Sequence, residues 1–508
     1  MMSVYKHADL NGLKHVHLIH AGRFNVISIL TCIIILLLGL SSCRKLVEAD
    51  PPLSGVSGSA VYTTDGSAIS AVTGIYAQMV NGSSTLATGS GSISLLAGLS
   101  ADEFVPYSGL AGSDNRNFYY KNALYANSTS TTPGTEMWTP LYKNIYTCNS
   151  AIEALSNVTT LTPAVRQQLL GEAKFLRAFF YFYLVNLYGD VPLALTSDYT
   201  VTASLPRSSQ AQVYQQIIAD LTDAQSLLSD SYLDGTLLKT TLERVRPTQW
   251  AATAFLARVY LYTTNWAGAD VAASKVINHS SLYSLSALTG ANGVFMKNSN
   301  EAIWQLQPVI TGHNTEDAWV FVLPSTGPSS SYPVYMGTQL LNSFEPGDGR
   351  RTSWVKSVTV SGTTTYYYPS KYQSATLNAP VTEYNMMLRL GEQYLIRAEA
   401  RAQEGDTSGA KSDLNSIRTR AGGLSPVTAG TQPALLTAVQ HERQVELFTE
   451  WGHRWLDLKR TGNVDAVMGS PGEVCAAKGG VWNSNWVLYP IYLGDLQKDL
   501  NLSQNAGY

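Results

Sequence analysis

Charge is what this 508-residue chain has least of. Asp, Glu, Lys and Arg together make up 14% of it, against about 25% in an average soluble domain. The scarcity is even-handed: 34 Lys and Arg face 37 Asp and Glu, a formal charge of −3. The basic excess of a nucleic-acid binder is therefore missing. Disorder is excluded too, because 45% of the residues are hydrophobic and little charge opposes their collapse. Only four Cys are present, too few for a disulfide framework. A single apolar run, near the N-terminus, approaches membrane-spanning length, which excludes a polytopic membrane protein. The motifs of metal and phosphate chemistry are absent: no His-Glu-x-x-His, no Cys pair at metal spacing, no P-loop. Gly89-Ser90-Gly91-Ser92 fits neither a phosphate loop nor a nucleophile elbow. What the chain has in quantity is aromatic: 29 Tyr, 10 Trp and 12 Phe. Polar character outside the core is left to Ser, Thr, Asn and Tyr.

The one apolar run is Val26 to Leu40, preceded by Lys6, Lys14 and Arg23 and followed by Ser41-Ser42-Cys43. A basic segment, a short apolar stretch and small residues before a cut describe a secretory signal peptide. Leu40-Ser41-Ser42-Cys43 resembles a bacterial lipobox, in which the cysteine thiol is lipidated and the chain is cut just before it. Two or three acyl chains, at about 0.8 kcal/mol per buried CH₂, hold a protein stably to a membrane. Residues 1–42 are thus expected to be a lipoprotein signal peptide. Residues 43–60, with Pro51, Pro52, Gly55 and Gly58, are expected to be lipidated Cys43 and a flexible tether. Cys148 and Cys475 remain for the folded part, either as free thiols or as one bridge.

Beyond the tether the strongest signals are helical. Pro163 stands at a first helical position. From there Leu169, Ala173, Leu176, Phe180, Tyr183 and Leu187 mark one face at helical spacing, ended by Gly189. Val213, Ile217, Leu221, Ala224 and Leu228 form a second stripe; a third helix follows Pro247, and a short one runs from Ala269 to Ile277. Residues 279–388 differ, being rich in Ser, Thr, Gly, Pro and aromatics without a sustained period. Ala302 to Leu306 and Val320 to Leu323 are expected to be strands or ordered loops. SVTVSGTTTYYY suggests a hairpin turning at Gly362. Helices return with stripes closed by Gly405 and by Gly422-Gly423, and a last one starts at Pro433. Ala251 to Ile277 and Glu392 to Ile417 look like tetratricopeptide-type helix pairs. The expected class is mostly α. A single domain, 61–508, has a helical framework at 61–278 and 389–508 and a loop-rich, short-strand insertion at 279–388. Loops that long inside a domain are usually functional.

Several stretches together resemble the SusD/RagB family. They are GEAKFLRAFFYFYLVNLYGDVPL (Gly171 to Leu193), the spacing of Trp138, Leu141, Tyr142, Ile145 and Asn149, EQYLIRAEARAQEGD (Glu392 to Asp406), DLNSIRTRAGG (Asp413 to Gly423), ERQVELFTEWGHRWLDLKRTG (Glu442 to Gly462), and the tail through NLSQNAGY. Most of these residues read physically as scaffold. Glu442, Arg443, Glu446, Arg454, Asp457 and Arg460 alternate with Leu447, Phe448, Trp451, Trp455 and Leu458, the pattern of a structural ion-pair network. Phe175, Phe179, Phe180 and Phe182 read as core.

The resemblance implies a non-catalytic, lipid-anchored protein of the outer membrane that faces the cell surface and binds oligosaccharide. It would deliver that nutrient to a partner TonB-dependent, SusC-like transporter. Aromatic rings would stack on the apolar faces of sugars while polar side chains bond their hydroxyls. The family's ligand site is built from N-terminal loops and the variable middle, which here are 107–120 and 313–335. The first offers Tyr107, Asp114, Asn115, Arg116 and Phe118; the second offers Trp319, Tyr332 and Tyr335, with Trp319 the first choice. No cofactor is implied. Calcium occurs in some relatives, but no loop here has the ligand spacing of a known calcium motif. One alternative is a surface glycoside hydrolase using Asp102 and Glu103 or Glu316 and Asp317. Adjacent acids do not establish the facing pair that chemistry needs, and these read as solvated loop acids. The other alternative is a peptide- or glycoprotein-binding relative.

Overall fold

The computed structural model describes residues 60–80, 89, 91–126 and 133–508. The leader, Cys43 and all but the last residue of the tether lie outside them. Two helices, α1 (Asp65–Val80) and α2 (Ile93–Ser100), lead into the short strand β1 (Phe104–Pro106) and helix α3 (Asn115–Tyr120). The framework continues with α4 (Trp138–Asn157) and α5 (Pro163–Tyr188). After the small antiparallel pair β2 (Val191–Pro192) and β3 (Arg207–Ser208) come α6 (Gln210–Leu227), α7 (Gln249–Tyr262) and α8 (Trp266–Ile277). The mostly helical class expected from the sequence holds.

Helix α5 starts at Pro163 and ends where Gly189 takes φ +77°, a conformation that strains any side-chain-bearing residue. Its interior differs from the expected single stripe. Every residue from Phe175 to Val185 is buried, so the helix is covered on all sides and forms the centre of the core. Helices α4 and α6 pack along it. Phe179 meets Phe255, Trp304 and Trp451 at ring distances of 5.3–5.5 Å, joining α5 to α7, to the insertion and to the C-terminal block. Truncating such a ring typically costs about 3–5 kcal/mol.

The insertion is bounded by a pairing of its two ends. Strand β4 (Ala302–Leu306) runs antiparallel to β8 (Asn385–Arg389), with Ala302 opposite Arg389. Between them lie helix α9 (Glu316–Phe321) and strands β5 (Val334–Met336), β6 (Val355–Val360) and β7 (Thr364–Pro369). The expected hairpin is β6–β7, turning through Ser361 and Gly362 at φ +52° and +70°. The expected strand or loop at Val320 to Leu323 is a correction: its first half, Val320 and Phe321, closes α9 and Val322 caps it. Thr315 caps that helix through a bond from the Ala318 N–H (3.1 Å), and Glu316 and Asp317 occupy the first turn. A capping threonine and first-turn acids favour helix over strand, and the apolar run straddles the helix end.

Four longer helices carry the framework on, α10 (Leu390–Glu404), α11 (Thr407–Ala421), α12 (Gln432–Glu446) and α13 (His453–Arg460), and three short α-helical turns follow them. The pairs α7–α8 and α10–α11 have the short connections of tetratricopeptide-type units, and α8 packs on α10. A buried ion pair, Arg258 to Glu392 at 2.6 Å, ties α7 to α10. The late charged-aromatic block is indeed an ion-pair network. Arg443 and Arg460 both meet Asp457 (2.7 Å), Arg460 also holds Glu399 (2.6 Å), and Arg454 holds Asp102 (2.7 Å). Glu446 receives Arg350 (2.9 Å), Arg389 (2.6 Å) and Arg420. Both Cys148 and Cys475 are free thiols and buried. No helix among the described residues is long and apolar enough to cross a membrane.

Candidate functional site

The two segments singled out from the sequence meet through a two-stranded sheet. Strand β1 pairs antiparallel with β5, placing Val105 opposite Tyr335, and the Tyr107 N–H donates to the Pro333 carbonyl at 2.7 Å. Strand alternation puts Tyr107 on the same face as Val105 and hence as Tyr335. Helix α3 brings Tyr120 to the same neighbourhood, close enough for Tyr335 to hold the Tyr120 hydroxyl above its usual pKa, second to the effect of burial. The hairpin adds Tyr366, whose ring meets Tyr335 edge-on at 5.0 Å and 73°. Tyr120, Tyr335 and Tyr366 thus form one half-buried wall, and Tyr107 stands at its edge just past β1, its ring lying over Gly109. Among the described residues none of their four hydroxyls has a hydrogen-bond partner. The Lys478 ammonium lies 5.2 Å from the Tyr120 ring centre.

Tyr107 and Tyr335 were named from the sequence; Tyr120 and Tyr366 were missed. Tyr366 lay in the hairpin's YYY run, and only the β5–β7 contact brings it to the site. Tyr332 is half-buried beside this wall in a turn, its carbonyl accepting from the Ser329 N–H at 3.0 Å. The polar candidates of the first segment serve the loop itself. Asp114 caps α3 and grips Arg116 at 2.6 Å. Asn115 donates to Glu136 at 2.6 Å, and Phe118 packs edge-on against Tyr125 at 5.1 Å.

Trp319 stands apart from the wall. Phe321 stacks on Phe104 at 5.1 Å and so fastens α9 to β1. At about 100° per residue Trp319 points to the other side of that helix. There it is half-buried and stacks on His313 at 4.1 Å and 18°, while His313 Nδ1 meets Glu316 at 2.5 Å. The pair is a second aromatic feature of the insertion, outside the core.

Three of the four acids of the hydrolase alternative are not solvated, contrary to expectation, and the fourth, Glu316, is half-buried against His313. Asp102, Glu103 and Asp317 are buried. Asp102 is held by Arg454. Glu103 accepts the Thr449 N–H at 3.1 Å, and burial pushes its carboxyl up to about 8. Asp317 accepts from the Gly89 N–H and from Asn385, both at 3.3 Å, and burial pushes it up to about 7. Each carboxylate holds a loop or strand in place. Among the described residues, Glu345, His441 and Glu442 bring possible metal-ligating atoms within 4.8 Å of one another. Their carboxylates are engaged by arginines, Glu345 by Arg418 and Glu442 by Arg350, each at 2.6 Å.

Comparison with known proteins follows the same outline. Residues 107–261 match a family model described as SusD-like, starch-binding and associating with the outer membrane, and residues 342–508 match the SusD family model. The SusD-like protein P38 of Formosa agariphila is 26% identical over 96% of this chain and all of its own length. Among solved structures, a SusD superfamily protein from Bacteroides vulgatus superposes with a TM-score of 0.74 at 22% identity, covering 87% of this chain and 99% of that one. A laminarin-binding SusD-like protein superposes at 0.69 and 22%, covering 88% and 100%.

Proposed function

Because the chain belongs to the SusD/RagB family, we propose that it binds glycan without cleaving it and hands it to a TonB-dependent transporter. It would act from the outer face of the outer membrane, held there by lipid on Cys43. The family model's description as starch-binding and associated with the outer membrane supports the ligand class and the location. The observation that carries the reading is the wall of Tyr107, Tyr120, Tyr335 and Tyr366. Four rings with unengaged hydroxyls, on a chain poor in charge, offer stacking faces and a hydrogen-bonding rim to a neutral, hydroxyl-rich ligand. The hydrolase alternative is less favoured because its acids are engaged in structural contacts. Binding in this form calls on no cofactor.

Calorimetry and affinity-gel retardation against starch, laminarin and other polysaccharides test the proposal. Retardation without release of reducing ends is the expected result. A folded protein that binds no glycan defeats the ligand class, and reducing ends released by pure protein defeat the non-catalytic role. Trp319→Ala separates the two aromatic features: full affinity in that variant assigns binding to the tyrosine wall alone.

A further inference from the structure

A cleft of about 480 Å³ opens in the helical framework where the loop between α7 and α8 faces α10, α12 and the end of α13. Its volume lies within the range of small-ligand sites. Its chemistry is nearly free of net charge. The two charged residues lining it, Glu399 and Arg460, bind each other through two bonds of 2.6 and 2.7 Å, and the third arm of Arg460 holds Asp457. No unmatched ion is left to attract a charged ligand. What faces the space instead is Trp266, half-buried, with the side-chain amides of Gln403 and Gln440 and the hydroxyl of Thr264. Among the described residues, the Trp266 indole N–H and the Gln403 amide have no partner. Gln440 donates to Glu399 at 3.1 Å, which leaves its oxygen free.

Thr264 adds an independent sign. It follows the C-cap of α7 and has φ +57°. That left-handed position suits Gly or Asn and strains a β-branched residue. Strain of this kind clusters at ligand-binding and active sites. From the indole face, the unpartnered Gln403 amide, the free Gln440 oxygen, the strained backbone at Thr264 and the cancelled charge, we propose that this cleft is a second binding site for a neutral polyol, a short stretch of oligosaccharide. It shares no residue with the tyrosine wall, so either site can fail without the other.

The test uses the folded chain with maltoheptaose and laminariheptaose as probes, read by calorimetry and by ligand-observed NMR. A chain carrying Tyr335→Ala and Tyr366→Ala should keep residual binding to one of the probes. Adding Gln403→Ala and Gln440→Ala should lower that residual affinity at least fivefold. Thr264→Asn should raise the melting temperature while lowering the same affinity, a pairing that a purely structural role does not produce. Loss of all binding on removing the wall tyrosines overturns the second site and leaves the first intact. So does a residual affinity that neither the glutamine variants nor Thr264→Asn alters. Binding that survives the loss of the wall and falls with the cleft variants supports the cleft.

Discussion

The tyrosines of the framework and those of the wall share one side chain and lead opposite lives. In the framework, Tyr76 donates to Glu172 (2.7 Å), Tyr119 to Glu136 (2.5 Å), Tyr181 to the Ala194 carbonyl (2.8 Å) and Tyr188 to the Gly134 carbonyl (2.9 Å). All four are buried, and burial raises the pKa of each hydroxyl. Tyr107, Tyr120, Tyr335 and Tyr366 are half-buried, with hydroxyls unengaged among the described residues. A buried hydroxyl must find a partner or bear a desolvation cost; a half-exposed one can wait for a ligand. In a chain with little charge, the difference between scaffold and site is therefore written in the bonding of tyrosines rather than in their number.

The same division holds for charge, and breaking it gives the largest expected effect. Glu446 is buried and faces Arg350, Arg389 and Arg420, whose combined field outweighs burial and holds its carboxyl well below the usual range. Removing it takes one negative charge from a buried cluster in which Arg350 keeps Asp348 and Glu442, Arg389 keeps Glu450 and Arg420 keeps Glu301. Glu446→Ala should cost about 3–5 kcal/mol of stability, read as a fall in the urea midpoint, and glycan affinity of the folded fraction should stay the same. A loss below about 1 kcal/mol would show the network to be less tightly coupled than its geometry implies.

Glu103 sharpens the comparison through pH. Its folded pKa of about 8 is above the unfolded carboxylate value, so the folded state holds a proton that the unfolded state releases. Stability then falls as pH rises from about 4.3 toward 8, and the loss is complete above the folded value. Glu103→Gln should remove that slope: wild type and variant should match near pH 4, with the variant the more stable at pH 8.5. Parallel stability curves from pH 4 to pH 8.5 would refute the assignment.

How far the sequence could be read depended on whether a feature was local. Pro163 and Gly189 bracket their helix by their own backbone chemistry, and the hairpin turns at Gly362 for the same reason. Helix α9 was not readable, because six residues are too few for a helical period to emerge from an apolar run. The wall was half readable. Tyr107 and Tyr335 stood in loops already suspected, but Tyr120 and Tyr366 join them through pairings between distant segments that no local pattern encodes. Trp319, the first choice from the sequence, shows the converse. Its loop context was suggestive, yet the helical turn that fixes Phe321 on Phe104 directs the indole away from the tyrosines.

Matched Tyr→Phe substitutions test the comparison most finely, because each removes one oxygen and leaves the ring. Tyr119→Phe takes a donor from the half-buried Glu136 carboxylate and should cost about 1–3 kcal/mol of stability. Tyr335→Phe takes away a hydroxyl that has no partner among the described residues, so its stability should stay within about 0.5 kcal/mol of wild type. If that hydroxyl bonds a sugar, affinity should fall by the worth of one neutral hydrogen bond, about 0.5–1.5 kcal/mol, or roughly two- to twelvefold in Kd. Urea melts and calorimetry on the two variants together decide the matter. A Tyr335→Phe chain that loses stability but not affinity would return Tyr335 to the scaffold, and the wall would then be an outer layer of the core. The reverse pattern would leave ring stacking and hydroxyl bonding as separable contributions of one side chain, to be apportioned by comparing Tyr335→Phe with Tyr335→Ala.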